Sequence, residues 1–195
     1  NDDLDRSMDL VEQDKVQKYE SGDFSKSFKE KLKEDLDILL EMKKLWDGVQ
    51  ADPKVDQFKS ILTKDKILKE SKLIIFTESR ETAEYLDKNL REEFGDQVLS
   101  YSSKSSAAVR EMIIDNYDPK HKNYKNNIRI LITTDILAEG VNLHRSNVVI
   151  NYDIPWNPTR VLQRVGRVNR VDTKFDDIYV YNFFPTSIGE AETRI

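Results

Sequence analysis

Apolar positions change period along the chain in a regular order. Between Asp23 and Gly48, Phe28, Leu32, Leu36, Leu39 and Trp46 recur at helical spacing among charged residues, which predicts an amphipathic helix with a charged outer face. Pro53 suits a first helical turn, and Val55, Phe58, Ile61, Leu62 and Leu68 predict a second helix that turns those side chains inward. Beyond it, short apolar runs alternate with amphipathic stretches. Leu73-Ile74-Ile75-Phe76 predicts a strand buried on both faces, and Ala83, Leu86 and Leu90 mark the helix that follows. Val98 to Tyr101 predicts a strand, Ala107 to Tyr117 a helix, and Ile128 to Thr133 a strand. Val148 to Ile150 predicts another strand, Pro158 to Asn169 a helix, and Ile178 to Phe183 a last strand.

This rhythm predicts an α/β domain in which helices cover both faces of a mainly parallel sheet. Residues 1–22 are polar and acidic, with only Leu4, Met8, Val11 and Val16 scattered through them, and they fit a helical arm or a disordered segment equally well. The expected organisation is an acidic helical arm or connector over 1–51, the α/β domain over 52–185, and the start of a C-terminal extension over 186–195.

Composition narrows the function classes. With 195 residues the chain can bury one good core, with an appendage, but not two full domains of this kind. Charged residues (34%) and hydrophobic ones (38%) are interspersed as in a soluble protein, and no window approaches a membrane-spanning run. A net charge of −5 argues against a uniformly basic nucleic-acid coat but leaves room for a local basic track. Most of the acidity lies in residues 1–70, with 14 Lys and Arg against 18 Asp and Glu. The absence of cysteine excludes disulfides and zinc-thiolate sites. His121 and His144 stand alone, so structural or surface roles are expected for both, and no metal site. The chain starts at Asn1 without an apolar leader, and a piece of a longer cytoplasmic protein is the expectation.

The densest chemistry lies in Gln163-Arg164-Val165-Gly166-Arg167-Val168-Asn169-Arg170. On a helix, Gln163, Arg167 and Arg170 share one face, and Gly166 leaves room beside it. Arg160 and Arg164 join Arg167 along an adjoining stripe, while Val161, Leu162, Val165 and Val168 form the expected buried side. Four arginines so close call for an anion. A guanidinium fits phosphate oxygens, and an arginine finger accelerates phosphoryl transfer by roughly 10³–10⁵. The plain alternative is a solvated helix face paired with nearby carboxylates.

Thr133-Thr134-Asp135-Ile136-Leu137-Ala138-Glu139-Gly140-Val141-Asn142-Leu143 follows a buried strand, so its polar groups emerge at the carboxyl end of the sheet, where open α/β folds bind ligands. Hydroxyls and amides there suit a nucleic-acid phosphate, and Asp135 and Glu139 can accept from a ribose or orient an arginine. Gly140 permits close backbone approach. A polar loop with a capping threonine or aspartate explains any one of these residues more easily than the set.

Order and spacing resemble superfamily 2 helicases. Leu73 to Ser79 is similar to their motif IV, Thr133 to Leu143 to motif V, and Gln163 to Arg170 to motif VI with its Gln-x-x-Gly-Arg-x-x-Arg core. Asn151-Tyr152-Asp153-Ile154-Pro155-Trp156-Asn157-Pro158 and Asp52-Pro53-Lys54-Val55 resemble the Swi/Snf-related branch, its bacterial members especially. The resemblance, over about residues 52–185, implies a three-layer RecA-like second lobe preceded by a helical segment. In such a lobe Arg167 and Arg170 reach across a cleft to a triphosphate, with Gln163 supporting them. Asp135, Glu139, Gly140 and Gly166 would line the nucleotide side, and Thr77, Ser79, Arg110 and Thr134 would meet the nucleic-acid backbone. The implied cofactors are ATP and Mg2+, held mainly by a first lobe. The implied partners are that first RecA-like lobe of the same parent chain and nucleic acid, double-stranded DNA in this branch.

Departures qualify the resemblance. Chromatin-remodelling relatives continue with Ile-Gly-Gln where this chain reads Val171-Asp172-Thr173, and Asn169 replaces a glycine or histidine. No Gly-x-x-x-x-Gly-Lys-Ser/Thr loop and no adjacent Asp-Glu pair occurs, so ATP hydrolysis by this chain alone is not expected. Two functions remain open: a motor lobe that supplies arginine fingers, or a non-enzymatic nucleic-acid-binding or regulatory module derived from one. A dinucleotide-binding domain fails for lack of the glycine fingerprint.

Overall fold

Three of the predicted apolar runs form strands in which every side chain is buried, as a parallel sheet covered on both faces requires. They are β1 (Leu73–Phe76), β3 (Ile130–Thr133) and β4 (Val148–Asn151), and β2 (Val98–Tyr101) and β5 (Tyr179–Asn182) flank them. The computed structural model describes residues 17, 19–49, 51–122, 124–138, 141–169 and 173–184. The five strands are all parallel and lie in the order β2-β3-β1-β4-β5. The helices are α1 (Phe28–Asp47), α2 (Pro53–Lys64), α3 (Lys66–Glu70), α4 (Arg80–Phe94), α5 (Ala107–Tyr117) and α6 (Pro158–Val165).

The chain divides into two compact units, residues 1–52 and 53–195. In the first, the predicted amphipathic helix forms as α1, but none of its residues is buried, and Leu39 and Trp46 stand 61% and 78% exposed. In the second, the two-residue period of the strands splits the core. Leu73 and Ile75 pack with Phe58 and Leu62 of α2 and with Ala83, Leu86 and Leu90 of α4. Ile74 and Phe76 pack on the other face with Ile113 and Tyr117 of α5, Leu143 and Val168. The chain therefore leaves β1 toward one face and, after β4, delivers Val168 to the opposite one. Such a reversal between neighbouring strands opens a crevice at their carboxyl ends.

Local chemistry sets the boundaries. Ser79 caps α4 by accepting from the Thr82 amide at 3.0 Å, and Gly95, at φ 56°, ends that helix. The single helix expected from Pro53 through Leu68 is two, because the Asp65 carboxylate accepts from the Leu68 amide at 2.9 Å and starts a new one. The strand expected from Ile128 begins at Ile130, since the side chain of buried Asn116 takes the Ile128 amide at 2.9 Å. Among the described residues no helix is long and apolar enough to cross a membrane. The extension expected at 186–195 lies outside the described residues.

Candidate functional site

Strand register builds the site. Phe76 lies level with Thr133 on one side and Asn151 on the other, and these three residues end β1, β3 and β4. Two residues past each end comes an acid: Glu78, Asp135 and Asp153. The parallel ladder therefore gathers three carboxyl-bearing side chains from distant parts of the sequence at one edge of the sheet.

Arg164 of α6 reaches into that edge and is only 2% exposed. Its Nε donates to Asp135 Oδ1 at 2.6 Å, and its Nη2 to Asp135 Oδ2 and Glu78 Oε1, both at 3.0 Å. Nη1 donates to Asn151 Oδ1 at 2.9 Å and to the Asp153 carbonyl at 3.1 Å. All five N–H donors of a guanidinium are thus engaged, which offsets the large cost of burying its charge. The Phe76 ring lies beneath, 5.2 Å from Cζ. The expectation that Arg164 joins an anion-facing stripe is therefore corrected: it fastens α6 to the sheet. Leu162, expected on the buried side, is 71% exposed.

Around this fastener the remaining charges are balanced. Arg160 Nη1 approaches Glu78 Oε2 at 3.5 Å and Asp135 Oδ2 at 3.6 Å. Lys54, in the first turn of α2, pairs with Asp153 Oδ1 at 3.1 Å and lies 3.8 Å from the Tyr152 ring centroid. The Thr77 hydroxyl donates to the other Asp153 oxygen.

Asn157 starts α6 by accepting from the Thr159 amide at 2.9 Å, with Pro158 following it. The helix ends at Val165, short of the predicted Asn169. Beyond it, Arg167 N to Arg164 O (3.2 Å) and Val168 N to Val165 O (3.0 Å) tighten the turn, and Val168 sinks into the core. Gln163 is exposed, and Arg167 is half-buried with no carboxylate partner among the described residues. A Cβ at Gly166 would meet only its own preceding turn, 3.2 Å from Leu162 O and 3.6 Å from Gln163 O.

Other expected residues are less uniform. Thr77 is fully buried, its amide bonded to Thr133 O at 3.0 Å and its hydroxyl to Asp153, so both polar groups face inward. Ser79 and Thr134 are half-buried at the same edge, and Arg110 is exposed on α5. Glu139, Gly140 and Arg170 lie outside the described residues. Of the histidines, His144 is buried. His121 Nδ1 lies 3.2 Å from Asp115 Oδ1 and its Nε2 3.8 Å from Glu111 Oε1, while Lys125 takes the other Asp115 oxygen at 2.9 Å.

The family model described as helicase conserved C-terminal domain matches residues 53–172. The chain belongs to that family. Curated relatives of this helicase C-terminal domain include an uncharacterized ATP-dependent helicase, YqhH, of Bacillus subtilis (strain 168), 35% identical over 113 residues, or 58% of this chain and 19% of that protein. The ATP-dependent RNA helicase sub2 of Aspergillus terreus is 37% identical over 105 residues, 53% of this chain and 22% of that protein. The chain thus spans about a fifth of the length of these relatives. Among solved structures, the C-terminal part of the Fun30 ATPase domain superposes with a TM-score of 0.57 at 21% identity, covering 69% of this chain and 41% of that one. The C-terminal domain of the DEAD-box protein Dbp5 superposes with a TM-score of 0.53 at 23% identity, covering 73% and 79%. The fold is that of a RecA-like helicase C-terminal domain.

Sequence reasoning missed Glu78, Asn151 and Asp153 as partners of this helicase domain's arginines. The signal was present: an acid stands at the second position after each of the three buried strands, and parallel pairing brings such positions level.

Proposed function

We propose that this helicase C-terminal domain is the second motor lobe of an ATP-dependent nucleic-acid translocase or helicase. In this reading it supplies Arg167 and Arg170 to a triphosphate held with Mg2+ mainly by the first RecA-like lobe of the parent protein. The observation that carries the reading is the division between two arginines three residues apart. Arg164 directs every donor inward, whereas Arg167 has no carboxylate partner among the described residues. A buried, fully bonded guanidinium holds the helix rigidly, so that a finger beside it is positioned before its anion arrives.

Gln163 supports the fingers in this scheme, and Asp135 acts through Arg164. Gly166, where a Cβ would meet no atom within 4 Å beyond its own preceding turn, lets the nucleotide approach in this scheme, which also assigns Glu139 and Gly140 to the nucleotide. Ser79, Thr134 and Arg110 contact the nucleic-acid backbone, and Thr77 braces that loop from beneath through Asp153. Such contacts go to phosphate and sugar and carry little base information. Closure of the two lobes around ATP and reopening after hydrolysis would move the protein along its track.

The phrase from Asn151 to Pro158 supports a Swi/Snf-related parent acting on duplex DNA. A second reading, RNA as the track, is favoured by the RNA helicases among the relatives. ATP hydrolysis by the purified parent protein, measured with duplex DNA, single-stranded DNA and RNA in turn, tests both. Stimulation by duplex DNA is expected, and stimulation by RNA alone overturns the DNA assignment. A parent that binds nucleic acid yet hydrolyses no ATP would be the non-enzymatic module instead. The isolated chain is expected to hydrolyse none.

A further inference from the structure

We propose that Arg160 is a positioning residue that sets the charge at the mouth of the crevice, cancelling the carboxylate charge that Arg164 leaves over so that a phosphate can enter. The inference rests on the motor reading above and concerns a residue that reading does not use.

Glu78 and Asp135 share the single guanidinium of Arg164, whose Nη2 lies 3.0 Å from an oxygen of each. Two carboxylates against one cation leave a formal charge of about −1 where a polyanion must approach. Arg160 stands one turn before Arg164 on α6, with Nη1 3.5 Å from Glu78 Oε2, the oxygen of that carboxylate that Arg164 leaves over, and 3.6 Å from Asp135 Oδ2, which Arg164 also engages. With Arg160 included, and with Lys54 on Asp153, the row of three acids meets three cations.

Two observations indicate that Arg160 is not there to stabilise the fold. Its side chain is 53% exposed and both contacts are longer than a good hydrogen bond, so the pairing is of the weak, solvent-screened kind. It also occupies the third position of α6, in the first turn, where the helix dipole favours an acid over a cation. A cation at a locally unfavourable position, aimed at carboxylates already held by another arginine, fits a role in the field of the crevice.

The test compares the wild-type parent protein with Arg160→Ala, Arg160→Lys and the double variant Arg160→Ala with Glu78→Gln. Affinities for a non-hydrolysable ATP analogue and for a DNA duplex are titrated separately at low and high salt, beside kcat. Arg160→Ala is expected to weaken one or both affinities by roughly three- to tenfold at low salt, the size of one screened unit charge, and the ligand affected identifies the source of the phosphate. Arg160→Lys keeps the charge and the affinity. Glu78→Gln restores the affinity lost in Arg160→Ala, because one carboxylate fewer again balances the crevice while Asp135 still holds Arg164. Unchanged affinities in Arg160→Ala, or no restoration by Glu78→Gln, overturn the proposal. Absent ATP turnover in the wild type counts against the motor reading, and the affinity comparison still decides the role of Arg160.

Discussion

Arg164 and Asp135 meet fork to fork at the carboxyl edge of the sheet, Nε to Oδ1 at 2.6 Å and Nη2 to Oδ2 at 3.0 Å. This bidentate geometry is the strongest form of an arginine–carboxylate contact, and here it ties α6 to the segment that leaves β3. The contact makes a structural anchor of Arg164, whereas its neighbour Arg167 has no carboxylate partner among the described residues.

The two arginines are therefore expected to fail differently. Arg164→Ala should lower the unfolding free energy of the 195-residue chain by about 2–4 kcal/mol, toward the lower part of the range for breaking a buried pair because the stranded carboxylates can rehydrate. Arg167→Ala should stay within about 0.5 kcal/mol of wild type. Urea denaturation of both variants checks the contrast, and equal losses would refute the division of roles.

Tyr117 is wholly buried, with its hydroxyl within 3.2 Å of Leu73 O and 3.1 Å of Arg129 O, at the amino end of the sheet opposite the arginines. Tyr117→Phe leaves those carbonyls without that donor and is expected to cost about 1–2 kcal/mol, read in the same denaturation assay. A neutral outcome would show that this bond contributes nothing to the fold.

Burial pulls the ammonium of Lys72 down to about 8, and the Arg145 guanidinium adds to the effect. Below that pH, Lys72 is charged in both folded and unfolded chains, and the folded state bears the cost of burying it. As pH rises toward the ordinary lysine value, the folded chain sheds the proton first, so the unfolded chain binds more protons and stability increases with pH. Stability measured from about pH 7.5 to about pH 9.5 should rise more steeply in wild type than in Lys72→Met. Burial of the Tyr117 phenol acts in the opposite sense only above its usual titration range near pH 10. Parallel slopes in the two proteins would contradict the burial argument.

Leu162 is an apolar residue that the fold leaves 71% exposed, beside a buried arginine on the same helix. Leu162→Gln is accordingly expected to change the denaturation midpoint little, within about 0.5 kcal/mol. A larger loss would place this side chain in the core after all.

That inversion explains what the sequence could and could not convey. β1, β3 and β4 were legible because burial on both faces writes a continuous apolar run into four consecutive residues. The carboxyl-edge position of Asp135 followed from the same logic. The arginine helix was harder, because helical periodicity ranks Leu162 as inward and Arg164 as outward. What draws Arg164 inward is a set of acceptors 29 residues away at Asp135 and 86 away at Glu78, brought together only by strand register. The early end of α6 was likewise hidden, since the turn tightens to bring Val168 to a core that the local sequence does not describe.

The most direct test of the account is the nucleic-acid-stimulated kcat for ATP of the full-length parent carrying Arg167→Ala, measured beside its nucleic-acid affinity. In that variant kcat is expected to fall by roughly 10³-fold or more while affinity for nucleic acid is retained. Turnover at the wild-type rate would contradict the account.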